Sequence, residues 1–473
     1  MPAIEPERIR LLNEASPRED GQYVLYWCQS SRRVDLNHGL AHAAWLANEA
    51  GLPLLVYEGL TCSYPNANDR LHTFVIEGAP ETAKELRAIH GGYFFYPRQT
   101  GSDPNDVLYK LAAKARCVVT DDYPVFIPAV HNARVPEKIG VPYIAVDSNC
   151  IVPTSVYGKR EYAAYTIRPK IHKGMAKFLR PIEKVRLKYP WKDELLPADV
   201  RDLRTDVEHV AVAKLVGEAQ VNHRVQPSTS FHGGTKQARK HLKKFLEHKL
   251  GRYGEEKNEP SRHATSDLSP WLHFGQISAV EIALEVQEYA AEHSVNAASF
   301  LEELIVRREL SFNFARYAER VDSLEVLPDW CLRTMKQHAR DERPVLYTPK
   351  QFELAETYDA LWNATQKEML LRGKIHGYYR MYWGKKIIEW SRTYEEALET
   401  MLHIHDIYAL DGRDPNTYTN VLWCFGLHDR PWNERPIFGQ LRYMSLEGMK
   451  RKTDVDAYIK EIAYLERTGK DLG

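Results

Sequence analysis

Between Lys374 and Gly412 the chain reads KIHGYYRMYWGKKIIEWSRTYEEALETMLHIHDIYALDG. Helical spacing sets Arg380, Trp383, Ile387 and Trp390 on one face, at three- and four-residue steps. A cation buried among aromatics wants an anion, and the turn Asp411-Gly-Arg-Asp-Pro-Asn416 offers two carboxylates. Trp362 lies one segment upstream, in LWNATQ. An arginine, an acidic turn and three tryptophans could wall a large flat cofactor, or they could be a tryptophan-rich core. Thr265-Ser-Asp-Leu-Ser-Pro270 puts hydroxyls just before a helix start, with Pro270 in the first turn. That arrangement suits a phosphate, and it also suits an ordinary cap.

Composition excludes several classes of protein. The 473 residues are too many for one ordinary core, so two domains are expected. Hydrophobic content of 44% and charged content of 27% fit a soluble globular protein. There is no run of eighteen apolar residues, and MPAIEPERIRLL is too charged for a signal peptide. Six cysteines (28, 62, 117, 150, 331 and 424) lack metal-ligand spacing and read as reduced thiols of a cytoplasmic protein. Formal net charge is zero, so binding to nucleic acid would rest on local patches.

The elements that must position these groups fall into two zones. Residues 1–20 are polar and expected as a flexible arm. From 21 to 172, short apolar runs (24–27, 52–57, 93–97, 117–121 and 142–147) alternate with helix candidates such as NHGLAHAAWLANEAG. Such alternation predicts an α/β domain with a doubly wound parallel sheet. Its ligands would sit at the carboxyl ends of the strands. No G-x-G-x-x-G or Walker-type loop names a nucleotide. Residues 173–232, basic and then polar, read as an interdomain connector. Residues 233–473 keep helical periodicity throughout and predict an all-α second domain.

Several stretches resemble, in order, the class II cyclobutane pyrimidine dimer photolyases of the photolyase/cryptochrome family. They are EYAAYTIRPKIHK, TSDLSPWLHFGQIS, FLEELIVRRELSFNF, KIHGYYRMYWGKKIIEW, LDGRDPNTY and ERPIFGQLRYMS. The resemblance implies FAD in the helical domain. Tyr253, Thr265, Ser266, Leu268 and Ser269 match its pyrophosphate-side contacts, and Arg380 and Asp411 match an ion pair at the flavin's polar edge. An antenna chromophore, a deazaflavin or a folate, is implied for the first domain. Trp362, Trp383 and Trp390 match the electron-transfer tryptophans. Indole is oxidisable yet neutral, so it can pass an electron inside a core without a resting charge. Glu303, Met381 and Trp423 match the lesion pocket: a carboxyl for thymine, a soft sulfur and an indole to stack. Lys257 and Asn258 fall where the family plugs the gap left by a flipped dimer. Arg435, Arg442, Lys450 and Arg451 supply a phosphate-clamping patch, and the basic run from Lys236 to Arg252 supplies another patch or a solvated helical face. The implied function is light-driven repair of dimers in DNA by electron transfer from reduced FAD, in a monomer without a membrane anchor.

Three departures from the family pattern stand out. Lys257 replaces an arginine, keeping charge but losing planar geometry. WCFGLHD is one residue shorter than usual between Trp423 and Asp429. His405 takes the position of an asparagine facing the flavin, and an imidazole there is expected to titrate between about pH 6 and 8. The departures favour a cryptochrome-like photoreceptor without repair as the alternative; Glu303, Met381 and Trp423 oppose it. A light-independent helical DNA-binding module with an empty pocket is a further rival.

Overall fold

The computed structural model describes residues 4–472. Six strands make one sheet: β1 (Ile9–Leu11), β2 (Tyr23–Trp27), β3 (Leu54–Leu60), β4 (Gly92–Pro97), β5 (Ala115–Asp121) and β6 (Tyr143–Val146). Their order is β1-β6-β5-β2-β3-β4. β2 pairs in parallel with β3 and β5, with Trp27 opposite Tyr57 and Thr120. All five residues of β2 are buried, as a strand covered on both faces requires. The five expected strands are thus present, within a few residues at each end.

The expected flexible arm needs correction. Met1, Pro2 and Ala3 lie outside the described residues, but Ile9–Leu11 form β1, antiparallel to β6. Arg8 anchors this segment. It is 1% exposed, and its guanidinium donates to the carbonyls of Asp147, Cys150 and Ile151 and to Glu5. A buried cation so fully satisfied cannot leave without stranding its charge.

The helix His38–Ala50 starts where Asn37 accepts from the Leu40 N–H and ends at Gly51 with φ +70°, a left-handed stop. The helix Asp69–Ala88 crosses to the other unit. Its Phe74 packs against Trp271 and Phe274 at 5.9 and 5.1 Å between ring centres. Sheet and helical regions therefore share one apolar seam. The expected boundary at residue 172 falls inside the helix Ala164–Phe178. Beyond it, the connector covers the open edge of β4, with Thr205 N–H donating to Phe95 O.

After residue 146 the described residues hold no further strand of the sheet, and helices dominate. Three of them, Ala360–Arg372, Gly377–Trp390 and Tyr394–Tyr408, build a second core around Trp362, Trp383 and Trp390. Among the described residues no helix is long and apolar enough to cross a membrane, and no His/Cys/Asp/Glu group could hold a metal ion.

Candidate cofactor cleft and electron path

The Gly377–Trp390 helix carries Arg380 to the side of a cleft of about 800 Å³. Tyr253, Ser266, Leu268, Ser269, Glu303, Arg380 and Asp411 line it together. One Arg380 nitrogen lies 3.0 Å from both Asp411 oxygens, and the Ser269 hydroxyl donates to Asp411 at 2.7 Å. Burial works to raise the Asp411 carboxyl. Arg380, Lys374 and the Ser269 hydroxyl outweigh it and hold the group ionised below its ordinary range. Gly412 permits this placement, because a Cβ there would collide with the His405 carbonyl.

Two polar atoms at this corner are buried without a partner: Arg380 Nε and His405 Nε2. Orphaned groups of this kind cost free energy unless something answers them. They fit a ligand with hydrogen-bonding atoms along one edge. Of the two turn carboxylates, Asp411 is therefore the one facing Arg380. Asp414 instead caps Pro415–Trp423 and receives the Tyr123 hydroxyl at 2.7 Å, tying the helical unit to the residues after β5.

The phosphate-loop reading places a short helix at Ser269–His273, with Pro270 in its first turn as the sequence indicates. Asp267 just before it takes φ +56°. Thr265 faces away from the cleft into a neighbouring polar cavity, beside Lys249, Lys374 and His376. Lys374 sits 2.7 Å from the half-buried Asp267. Neither Asp267 nor Lys374 stands out in sequence, since a lone Asp in a turn and a Lys after Gly373 look like surface residues.

Trp383, Trp362 and Trp390 are each no more than 1% exposed. Trp383 and Trp362 stack at 6.2 Å with 6° between planes, and Trp362 meets Trp390 at 6.2 Å edge-on. The Trp362 indole N–H donates to the Trp383 carbonyl, and Trp383 donates to Gln366 Oε1, fixing both rings. Contact order is thus Trp383–Trp362–Trp390, with Trp383 one turn from Arg380.

His405 lies edge-on to Trp383 at 4.9 Å, and its Nδ1–H donates to the Met401 carbonyl. Burial and the nearby Arg380 push its pKa down to about 4. The expected titration between pH 6 and 8 is therefore corrected: a desolvated imidazole beside a cation stays neutral there.

Glu303 sits in a π-helical turn, Glu302–Arg307, a local widening of the helix. Lys257 follows the Leu250–Glu256 helix and pairs with Glu303 at 2.8 Å; Asn258 is exposed in the next turn. Met381 adjoins Arg380 but does not line the cleft, nor does Trp423, which follows the lining residue Asn420 by one helical step. Trp423 has two cations near its ring, Lys385 at 5.3 Å and Arg442 at 5.2 Å. Lys385 is fully buried, and desolvation lowers its pKa to about 8.

The basic residues divide. Arg442 is already committed to Asp429, at 3.0 and 3.2 Å, and stacks on Trp432 at 4.1 Å. Arg435, Lys450 and Arg451 are exposed on one side of the helical unit. The Lys236–Arg252 run is mostly a paired face: Arg239 with Glu281 and Asp35, Lys243 with Glu247, Arg252 with Glu256.

A second cleft, about 820 Å³, opens beyond the carboxyl ends of β2, β3 and β5. Trp27, Gln29, Thr61, Tyr123 and His131 come from the sheet side, and His273, Phe274 and Arg413 from the helical side.

The parallel α/β sheet joined to a helical unit is the photolyase/cryptochrome fold. The fold is shared with a cryptochrome from Synechocystis (TM-score 0.67, 14% identity, 96% of this chain and 89% of that one). It is also shared with an archaeal photolyase from Sulfolobus tokodaii solved with two FAD molecules (TM-score 0.66, 16% identity, 94% and 91%). Residues 24–187 match the DNA photolyase family profile. A deoxyribodipyrimidine photo-lyase of Methanothermobacter thermautotrophicus is 41% identical over 460 residues, 97% of this chain and 98% of its own length. The chain belongs to the DNA photolyase family.

Proposed function

We propose that this protein repairs cyclobutane pyrimidine dimers in DNA with light, as a class II member of its family. One juxtaposition carries the reading: Arg380, which lines the cleft with Asp411 and keeps an orphaned Nε, sits one helical turn from Trp383, the first of a column of three indoles. FAD, when bound and reduced, supplies the excited electron that opens the cyclobutane ring.

The protein's own groups do the rest. Arg380 offsets negative charge at the flavin's polar edge, and Asp411 keeps that guanidinium from being buried alone. Ser266, Leu268, Ser269 and Tyr253 hold the diphosphate side of FAD, and Thr265, turned into the neighbouring cavity, is removed from that set. Trp383, Trp362 and Trp390 carry electrons inward when the cofactor must be reduced. Glu303 hydrogen-bonds the flipped base, with Met381 and Trp423 against its faces. The Lys385 and Arg442 cations restrict the Trp423 ring to one plane. Lys257 and Asn258 fill the vacated gap, and Arg435, Lys450 and Arg451 meet phosphates. Arg442 is reassigned from phosphate contact to support of Trp423. The α/β unit serves as the antenna domain, with the cleft beyond β2, β3 and β5 for its chromophore. Six buried, unpaired thiols support a reducing, cytoplasmic setting.

The class II assignment is supported by the ordered motifs from EYAAYTIRPKIHK to ERPIFGQLRYMS and by the Trp383–Trp362–Trp390 contact order. Absorbance of dark-purified protein tests the cofactor reading. A flavin spectrum at near-stoichiometric amount is expected, and a colourless folded protein would sink it.

A further inference from the structure

The indole column stops short of water. Trp390 is 0% exposed, and its indole N–H is buried beside the Tyr358 hydroxyl. An electron vacancy reaching Trp390 therefore has no direct solvent contact to refill it. The Lys386 ammonium, 5.5 Å from the ring centre and held by Glu389, disfavours a positive charge resting there.

Two tyrosines touch this ring. Tyr347 meets it at 5.7 Å and is only partly exposed. Tyr358 meets it at 5.2 Å with 56° between planes and is 67% exposed. The Tyr358 position is fixed by its backbone, whose N–H donates to the Tyr347 hydroxyl at 2.9 Å. The next residue, Asp359, caps the helix that carries Trp362 and receives the Tyr382 hydroxyl. One short segment thus anchors the middle indole and presents a solvent-facing phenol to the last.

We infer that Tyr358 is the surface terminus of the electron path. The inference rests on the proposed reading of the indoles as an electron chain. An electron passes from the Tyr358 phenol to the oxidised Trp390 indole, and the phenolic proton leaves to bulk water. The products are neutral Trp390 and a neutral phenoxyl radical. A thiol in solution then gives the phenoxyl a hydrogen atom, restoring the phenol, and the resulting thiyl radicals combine to a disulfide. Tyr347 is the poorer terminus because its hydroxyl already accepts a backbone N–H and is less open to water for proton release.

Flash illumination of the holoprotein with oxidised flavin, read by electron paramagnetic resonance, tests this. Wild type should give a tyrosyl signal that narrows when the protein is made with ring-deuterated tyrosine. Tyr358→Phe, an exposed and conservative change, should lose that signal and leave a tryptophanyl radical, and its flavin should be reduced more slowly with a thiol as donor. Tyr347→Phe should keep the tyrosyl signal. A tyrosyl signal that survives Tyr358→Phe, or wild type showing only a tryptophanyl radical, would overturn the inference while leaving the electron chain intact. Bound flavin with no protein radical in any variant would overturn both.

Discussion

The Lys257 ammonium lies 2.8 Å from the Glu303 carboxylate, joining the end of one helix to a π-helical turn across the cleft mouth. Both side chains keep solvent access, 23% and 46%, so the pair is worth only ~0–1 kcal/mol to the fold. It can open cheaply when a flipped base and a vacated gap offer each partner a replacement. Lys257→Met should therefore shift the melting temperature by no more than ~4 °C. Its preference for dimer-containing over undamaged duplex, measured by fluorescence anisotropy, should fall. Equal weakening toward both duplexes would make Lys257 a phosphate contact instead.

Asp411 is the opposite case, a buried partner of a buried cation. Asp411→Ala should cost ~3–5 kcal/mol in urea unfolding, because Arg380 is left unpaired in a low-dielectric site. The same variant should lose FAD on gel filtration. Full retention would place the cofactor away from this pair.

Acid should destabilise the protein in two stages. His405 takes a proton near pH 6.5 when unfolded but not until about 4 when folded. Its contribution is therefore complete above pH 6.5 and falls as pH drops toward 4, by ~3 kcal/mol. Asp267, Asp411 and Asp414 are held below the ordinary carboxylate range despite burial, each by neighbouring cations or hydrogen-bond donors. Their contribution is present above about pH 4, the unfolded value, and is lost below it. Urea unfolding against pH should show His405→Gln making the upper stage shallower, the remainder coming from other buried histidines such as His376 and His428, and Asp414→Asn making the lower stage shallower. Between pH 6 and 8 photoreduction should be flat, since the imidazole stays neutral. A pH dependence there that disappears in His405→Asn would contradict the buried, neutral assignment.

What could be read in the sequence follows from which physics leaves a local trace. Strand–helix alternation and the three- and four-residue steps from Arg380 to Trp390 are local patterns, so five strands and the aromatic helix face were legible. β1 was not, because Ile9–Leu11 is three residues long and owes its place to Arg8 reaching carbonyls some 140 residues away. Nor was the ordinary acidity of His405 a safe guide, because desolvation and Arg380 act through space. The Arg442–Asp429 pair and the approach of Arg442 to the Trp423 ring likewise join residues with no local trace in the sequence.

DNA affinity should rest on the exposed cations despite zero net charge. Lys450→Gln with Arg451→Gln should weaken damaged and undamaged duplex alike and reduce the slope of log affinity against log salt by about 2. An unchanged slope would move the phosphate track elsewhere on the surface.

The most direct measurement is blue illumination of the purified, chemically reduced protein with an oligonucleotide containing one cyclobutane thymine dimer. Intact thymines should appear in the light and not in the dark, with many dimers split per protein molecule. Glu303→Ala and Trp423→Ala should each slow the reaction. A protein that holds reduced FAD, binds the dimer and leaves it unsplit under light would contradict repair and assign the chain a photoreceptor's role.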